Sequence, residues 1–325
     1  MSTGLKMRDF VACCEAAVEP TRLRIVALLD VAELTVSDLT EILGQTQPRV
    51  SRHLRILVEG NVVRRTPQGA WAYFRRARSG DQARAVDVML GLIDRDDHEF
   101  AADARRLAGI RAEHSARSQA FFDRNAAEWE RLRSLHVADG RVESEILAAV
   151  RDLHPASVLD LGTGTGRILE LLGSRIERGV GIDNSPNMLA VARHKLESAG
   201  LRHCTVRHGD IHDVGYPPDT FDLVVVHQVL HVLDEPSRAI AEAARVLTRG
   251  GSVVVVDFAT HDQTVLITEH HHRRLGFSQR SVTGWMKQAG LGPVKHTTLA
   301  PESEQSIAIS IWIGRDRRPK SRLSR

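Results

Sequence analysis

The run SVLDLGTGTGRILELL at 157–172 constrains this chain more than any other segment. A short apolar run leads into Asp160-x-Gly162-x-Gly164-x-Gly166, and a helical apolar pattern follows. Strand, glycine turn and helix in that order make the first part of a parallel α/β unit. The glycines let backbone pass close to a ligand, and the start of the helix favours polar or anionic groups. The grammar then repeats. GVGIDNSPNMLAVARHKL (179–196) is a second strand ending in Asp183, 23 residues after Asp160, and a helix carrying Met188. TVRHGDIHDV (205–214) is a third strand ending at Asp210-Ile211. FDLVVVHQVLHVL (221–233) is a fourth strand, buried by its β-branched run. RVLTRGGSVVVVDF (245–258) reads as a helix end, a Gly250-Gly251 turn and a fifth strand.

The loop also limits the ligand. A dinucleotide site uses G-x-G-x-x-G, spaced for a pyrophosphate. Here the spacing is G-x-G-x-G with an acid two residues ahead, which repels pyrophosphate and suits a cationic ligand with a free amine. An acid at the tip of the second strand bonds ribose hydroxyls.

The first third of the chain has a different pattern. Residues 5–17 and 20–32 read as helices, with Pro20 at a first helical position. A third helix covers 35–43, with Thr35 as N-cap and Asp38 in its first turn. The fourth, 47–59 (QPRVSRHLRILVE), buries Val50, Leu54, Leu57 and Val58 on one stripe. Arg52 falls opposite that stripe, with Arg49 and Arg55 about 60° to either side. Gln47 and Ser51 lie at its N-terminal end, and His53 is grouped with them. Such a face suits a major groove, where Arg bonds phosphate or guanine and Gln reads adenine. Ile56 falls toward the exposed side, outside the pattern. NVVRRTPQGAWAYFRR (61–76) is then a hairpin with its turn at Thr66–Ala70, signalled by Pro67 and Gly69. Its Arg64, Arg65, Arg75 and Arg76 are expected to reach backbone phosphate. Residues 49–78 hold eight arginines against the single acid Glu59, while the rest of 1–120 is net acidic. Positive charge gathered in one short segment is the footprint of a polyanion contact. A helical stretch, roughly 80–135, follows, capped by Asp81. Its early apolar face (Val86, Met89, Leu90, Ile93) is expected at a dimer interface, and its charged remainder is a solvated connector.

Two resemblances follow from these motifs. Residues 20–78, through Q-P-R-V-S-R-H-L-R-I-L-V-E-G-N-V-V at 47–63 and the wing with Gly69 and Tyr73, resemble the winged helix of ArsR-type bacterial repressors. That resemblance implies a homodimer on a palindromic operator. Many members sense metals through two cysteines in the third helix. Thr35 and Ser37 stand where those thiolates would be, and hydroxyls are poor ligands for soft metals. The order D-x-G-x-G-x-G, I-D-x-S-x-x-M-L, G-D-I resembles class I S-adenosylmethionine-dependent methyltransferases over roughly 120–260. It implies that Asp160 and the loop (Gly162, Thr163, Gly164, Gly166) hold the methionine part. Asp183 would hold the ribose, with Asn184, Ser185 and Met188 near it, and Asp210 and Ile211 the adenine. Met188 reads equally well as a helix core residue. FFDRNAAEW (121–129) resembles the cap over the cofactor, or is a plain amphipathic helix. Residues 294–314 fit the closing antiparallel hairpin. The fusion as a whole resembles ArsR-type regulators with a methyltransferase-like domain, including the S-adenosylhomocysteine-responsive SahR group linked to methionine-cycle genes.

Remaining candidates have two readings each. His227 and His231 follow the fourth strand, on the acceptor side of this fold, as general bases or as packing residues; His227 also borders the cofactor. Glu269-His270-His271-His272 reads as a solvated or acceptor-lining helix rather than a metal cluster, because consecutive helical residues diverge. His98 and His114, with Asp94, Asp96 and Glu113, read as solvated surface, so no metal is expected. Cys13 and Cys14 read as buried helix residues rather than a thiol site. Cys204 alone in its domain argues against an arsenite methyltransferase.

The expectation is therefore a multidomain chain. An all-α winged helix-turn-helix with a β-hairpin wing covers 1–95, and a helical connector 96–119. An α/β Rossmann-like methyltransferase domain with a mostly parallel sheet covers 120–315, and a basic tail 316–325. With no apolar run near the roughly 18 residues of a span and no leader-like start, a cytoplasmic protein is expected. The expected function is a repressor signalled by S-adenosylmethionine or S-adenosylhomocysteine. The alternative is an active methyltransferase for a small acceptor, carrying a DNA-binding domain.

Overall fold

A computed structural model describes residues 5–68, 71–78, 80–125, 139–151, 153–269, 272–301 and 306–318. The chain forms two compact units, Met1–Ala116 and Arg117–Arg325.

In the first unit, α1 (Met7–Ala17), α2 (Pro20–Val31), α3 (Val36–Leu43) and α4 (Gln47–Glu59) follow the apolar periodicity. Local chemistry sets their ends. The Glu19 carboxylate accepts from the Arg22 N–H at the start of α2. Thr35 and Asp38 form a reciprocal capping box that starts α3, and Gly44, at φ 62°, ends it in the left-handed region. Strands β2 (Val63–Gln68) and β3 (Trp71–Arg76) make the hairpin, Val63 pairing with Arg76. A two-residue strand that the sequence does not announce, β1 (Leu34–Thr35), adds to β3 at Phe74 and Tyr73. Ile25, Leu29, Leu39, Ile42, Val50, Leu54 and Leu57 form the core, and Ile56 packs against it from the side. The outlier of the amphipathic pattern is thus part of the core margin.

The expected continuous helix after residue 80 is interrupted. It forms α5 (Asp81–Gly91) and α6 (His98–Asn125). Between them the Asp94 carboxylate accepts from the Asp96 N–H (2.9 Å) and the Asp97 carboxylate from the Glu99 N–H (3.0 Å). Such local side-chain bonds compete with the helical ladder. Asp81 is the first residue of α5, and Gly80 takes the cap position. Arg24 of α2 and Asp103 of α6 join in a bidentate pair, both bonds 2.7 Å.

The second unit starts its described part with α7 (Asp139–Arg151). The turn from β4 (Ser157–Leu161) leads into α8 (Arg167–Leu172). Then come β5 (Arg178–Asp183), α9 (Pro186–Ser198), β6 (Cys204–His208) and β7 (Phe221–His227). The chain continues through α10 (Pro236–Arg245), β8 (Leu247–Phe258), α11 (Val265–Glu269) and α12 (Gln279–Gln288). It closes with β9 (Leu291–Leu299) and β10 (Ile309–Asp316). The seven strands lie in the order β6-β5-β4-β7-β8-β10-β9. The first five are parallel; β10 runs antiparallel to both β8 and β9. Gly250 and Gly251, expected as a turn before the fifth strand, lie inside β8, where the pairing with β7 slips between Phe221 and Leu223. Gly250, at φ 75°, lies within this irregularity.

The unbroken apolar runs of β7 and β8 have a simple cause. Val224, Val226, Val253 and Val255 enter the core on one face of the sheet. Leu223, Val225, Val254 and Val256 enter the core on the other. Alternating side chains serve two layers, so both faces of these runs are apolar. Strand β4 lies between β5 and β7, so the strand order reverses at its edge. The crevice outside the carboxyl ends at such a switch point is where open α/β sheets bind ligands.

Candidate functional site

The carboxyl ends of β4 and β5 bring Asp160, the glycine loop and Asp183 together. Gly162, Gly164 and Gly166 all have positive φ, between 51° and 80°. A Cβ on Gly162 would lie 2.6 Å from Val229 Cγ2, whereas one on Gly164 would meet nothing within 4 Å. The loop therefore packs on one side and opens on the other. The Asp160 carboxylate accepts from Thr163 Oγ1 at 2.6 Å through Oδ2, and its Oδ1 is buried with no hydrogen-bond partner. Burial pushes its pKa up to about 7; the Thr163 hydroxyl opposes this and the Asp183 charge adds to it. A buried acceptor left open needs a donor, and a ligand ammonium fits it.

Asp183 ends β5 and faces the loop. Its Oδ2 accepts from the Gly164 N–H (2.9 Å) and its Oδ1 from the Ser185 N–H (2.9 Å). Ser185 is the buried N-cap of α9 and accepts from the Met188 N–H. Met188 is buried on the inner face of α9, while Asn184 is exposed. Asp210 is exposed beyond β6, and its Oδ1 accepts from the His212 N–H (2.8 Å) and lies 3.0 Å from His212 Nδ1. Ile211 is half-buried, packed against the core on one face of the sheet.

The two histidines after the fourth strand separate. His227 is half-buried at the end of β7, paired with Val256. His231 is 3% exposed. Its Nδ1 lies 2.9 Å from Asp257 Oδ1, and its ring is 4.1 Å from that of His272 and 4.9 Å from that of Phe258. A general base must reach the proton that it removes. As placed, His231 is a buried residue held by Asp257, in keeping with the packing alternative of its two readings. His270 and His271 lie outside the described residues. So do most of the cap segment 121–129, the tip of the wing at Gly69 and Ala70, and the tail beyond 318.

In the first unit, α4 buries Val50, Leu54 and Leu57 and exposes Gln47, Arg49, Ser51, Arg52 and Arg55. Arg55 lies 3.9 Å from Glu59 on the same exposed face. Arg64 and Arg65 are exposed on β2, and Arg75, half-buried, pairs with Glu33 at 3.7 Å. Two expectations are corrected. The His53 side chain, 12% exposed, turns to Glu19, 3.5 Å away. Its burial holds its pKa below the ordinary value, helped by the nearby arginines Arg22, Arg49 and Arg52 against Glu19. Arg76, 7% exposed, lies between Asp30 (2.8 Å) and Asp87 (2.7 Å). Successive strand residues point to opposite faces, so Arg75 and Arg76 cannot both reach a phosphate. Cys13 is buried with its thiol pushed up by burial, as an inert core residue is.

Residues 19–65 match the family model for the bacterial regulatory proteins of the arsR family, and residues 159–255 match that of a methyltransferase domain. A phosphatidylethanolamine N-methyltransferase of Cereibacter sphaeroides is 41% identical over 107 residues, 33% of this chain and 52% of that protein. A demethylmenaquinone methyltransferase of Clavibacter sepedonicus is 31% identical over 144 residues, 43% of this chain and 58% of that one. The chain thus spans about half the length of these relatives. A structure of the Haloferax volcanii Trm112 methyltransferase activator in complex with a methyltransferase matches with a TM-score of 0.53 and 21% identity, over 63% of this chain and 99% of that one. At that identity the likeness is one of fold. No helix among the described residues is long and apolar enough to cross a membrane.

Proposed function

The chain carries an arsR-type winged helix followed by a methyltransferase domain, and from that pairing we propose a homodimeric transcription repressor. Its second domain binds S-adenosylmethionine or S-adenosylhomocysteine as a signal. The observation that carries the reading is the second unit's site. A buried, unpartnered Asp160 oxygen and an open Gly164 side suit the amino-acid end of such a cofactor. Asp183 suits its ribose, and the half-buried Ile211 suits its adenine. The exposed row Arg49, Arg52 and Arg55 supports DNA contact, with Gln47 and Ser51 at the start of the helix and Arg64 and Arg65 on the wing. Dimerisation is supported by large apolar side chains left exposed on α1 and α5, among them Met7, Phe10 and Val88, whereas the stripe Val86, Met89, Leu90 and Ile93 expected at the interface packs into the unit's own core. Large exposed apolar side chains in one region mark an interaction surface. Two copies related by a two-fold axis imply a palindromic operator.

The second reading is a tethered methyltransferase. S-adenosylmethionine supplies an electrophilic methyl group, and an acceptor would need a base or an open pocket beside it. The enclosure of His231 favours the signalling reading; His227 remains the candidate for the other. The test is operator binding with saturating S-adenosylmethionine, with S-adenosylhomocysteine, and with neither. The signal reading expects the curves to separate, with the demethylated product giving the larger shift, as the resemblance to product-responsive regulators implies. Three superimposable curves would remove it and leave the tethered enzyme.

A further inference from the structure

The glycine loop has spent much of its own donor capacity. Gly162 and Thr163 both donate to the Ile182 carbonyl (2.9 and 3.0 Å), and Gly166 donates to the Thr163 carbonyl (2.8 Å). Gly164 donates to Asp183 (2.9 Å). A carboxylate arriving beside these residues gains from a side-chain donor in addition to the start of α8, because an anion out of water is costly unless several donors meet it.

Gln228 is placed to offer one. It follows directly on β7, whose Val226 is paired with Leu161 of β4, so it lies at the switch point beside the loop. Its neighbour Val229 is the residue that abuts Gly162. Its backbone is left-handed, at φ 52°, a region that a residue with a side chain seldom occupies, and its N–H donates to the Val256 carbonyl (2.7 Å). Strain of this kind persists where the surroundings demand a particular side-chain direction, and it clusters at ligand clamps. The Gln228 Nε2 is buried with no hydrogen-bond partner. Two buried orphans of opposite kind therefore sit at the ends of adjacent strands: an acceptor, Asp160 Oδ1, and a donor, Gln228 Nε2.

We propose that Gln228 is a ligand-binding residue whose Nε2 donates to the carboxylate of the cofactor's amino-acid end, while Asp160 takes the ammonium. The assignment rests on the cofactor reading above. It explains both orphans with one zwitterion, and it explains why a residue beside the loop holds a strained backbone. No sequence motif marks Gln228; its φ and its unmade bond single it out.

The test is calorimetric titration of the full chain with S-adenosylhomocysteine and with its decarboxylated analogue, which keeps the ammonium and loses only the carboxylate. Gln228→Leu should weaken the first ligand about tenfold and leave the second within about twofold. Gln228→Glu keeps the length but replaces the donor with a charge of the carboxylate's own sign. It should weaken S-adenosylhomocysteine further and again spare the analogue. If the Leu variant does not fold, the Glu variant decides by the same ratio. Unchanged S-adenosylhomocysteine binding in the variants overturns the assignment. Equal loss of both ligands overturns it too, since the site would then be deformed rather than deprived of one bond. A wild-type chain that binds neither ligand overturns the cofactor reading itself, so the two failures are distinct.

Discussion

Asp160 is wholly enclosed, and its carboxyl is pushed up to about 7 from an ordinary 3.8, chiefly by burial. The folded chain therefore holds this proton more tightly than the unfolded chain. Between about pH 4 and 7 the folded state binds more protons at this site, so its contribution to stability falls as pH rises through that window and is level above it. A bound ammonium has the opposite preference, since it favours the ionised carboxylate. Cofactor affinity should then rise by up to about tenfold per pH unit toward pH 7 and flatten beyond. Asp160→Asn removes the titration. Its cofactor affinity should be lower and flat between about pH 5.5 and 7.5. Calorimetry across that range checks both, and a wild-type affinity independent of pH would count against ammonium binding at Asp160.

At the scale of elements, the proposed DNA contact is divided between the helix α4 and the wing. Arg52 lies opposite a stripe made of Val50, Leu54 and Leu57, all buried. If it reads a guanine, Arg52→Ala should cost about 1–3 kcal/mol and relax the preference at one operator position. Arg64, exposed on β2, should act on phosphate. Arg64→Ala should weaken all sequences alike and reduce the salt slope by about one unit. Binding isotherms at several salt concentrations, on the operator and on a scrambled duplex, separate the two. Arg76→Ala is a different experiment, because that guanidinium bridges Asp30 and Asp87 within the fold. The helix α4 and its exposed face were legible as periodicity. The inward turn of His53 was not, because it depends on Glu19 arriving from the start of α2.

At the scale of the molecule, the two sites belong to one chain, and a signal in one must be felt by the other if the repressor reading holds. Such coupling is typically about 1–3 kcal/mol, roughly 5–150-fold in affinity, and it is reciprocal. Saturating operator DNA should therefore change the dissociation constant of S-adenosylhomocysteine by the same factor as the ligand changes operator affinity. Titrating ligand into free protein and into the protein–operator complex measures both sides of the cycle. A ligand constant that operator leaves untouched would show that the domains share a chain without sharing an equilibrium.

The order of motifs along the chain was enough to determine the architecture. Glycine spacing, the acids at strand ends and two-sided apolar runs each follow from short-range geometry that a sequence states directly. Capping of α3 by Thr35 and Asp38 was legible for the same reason. What only the tertiary structure decided are contacts between distant segments. The short strand at Leu34–Thr35 exists because β3 offers it an edge. His231 is closed off because Asp257, Phe258 and His272 arrive from later segments, and Arg76 is internal because Asp30 and Asp87 flank it. Gln228 carries no signal in one dimension, because its φ and its open amide are set by how β7 meets β8 and the loop. Periodicity fixes which face of an element is buried; only packing fixes which polar atoms on the margin of that face find partners.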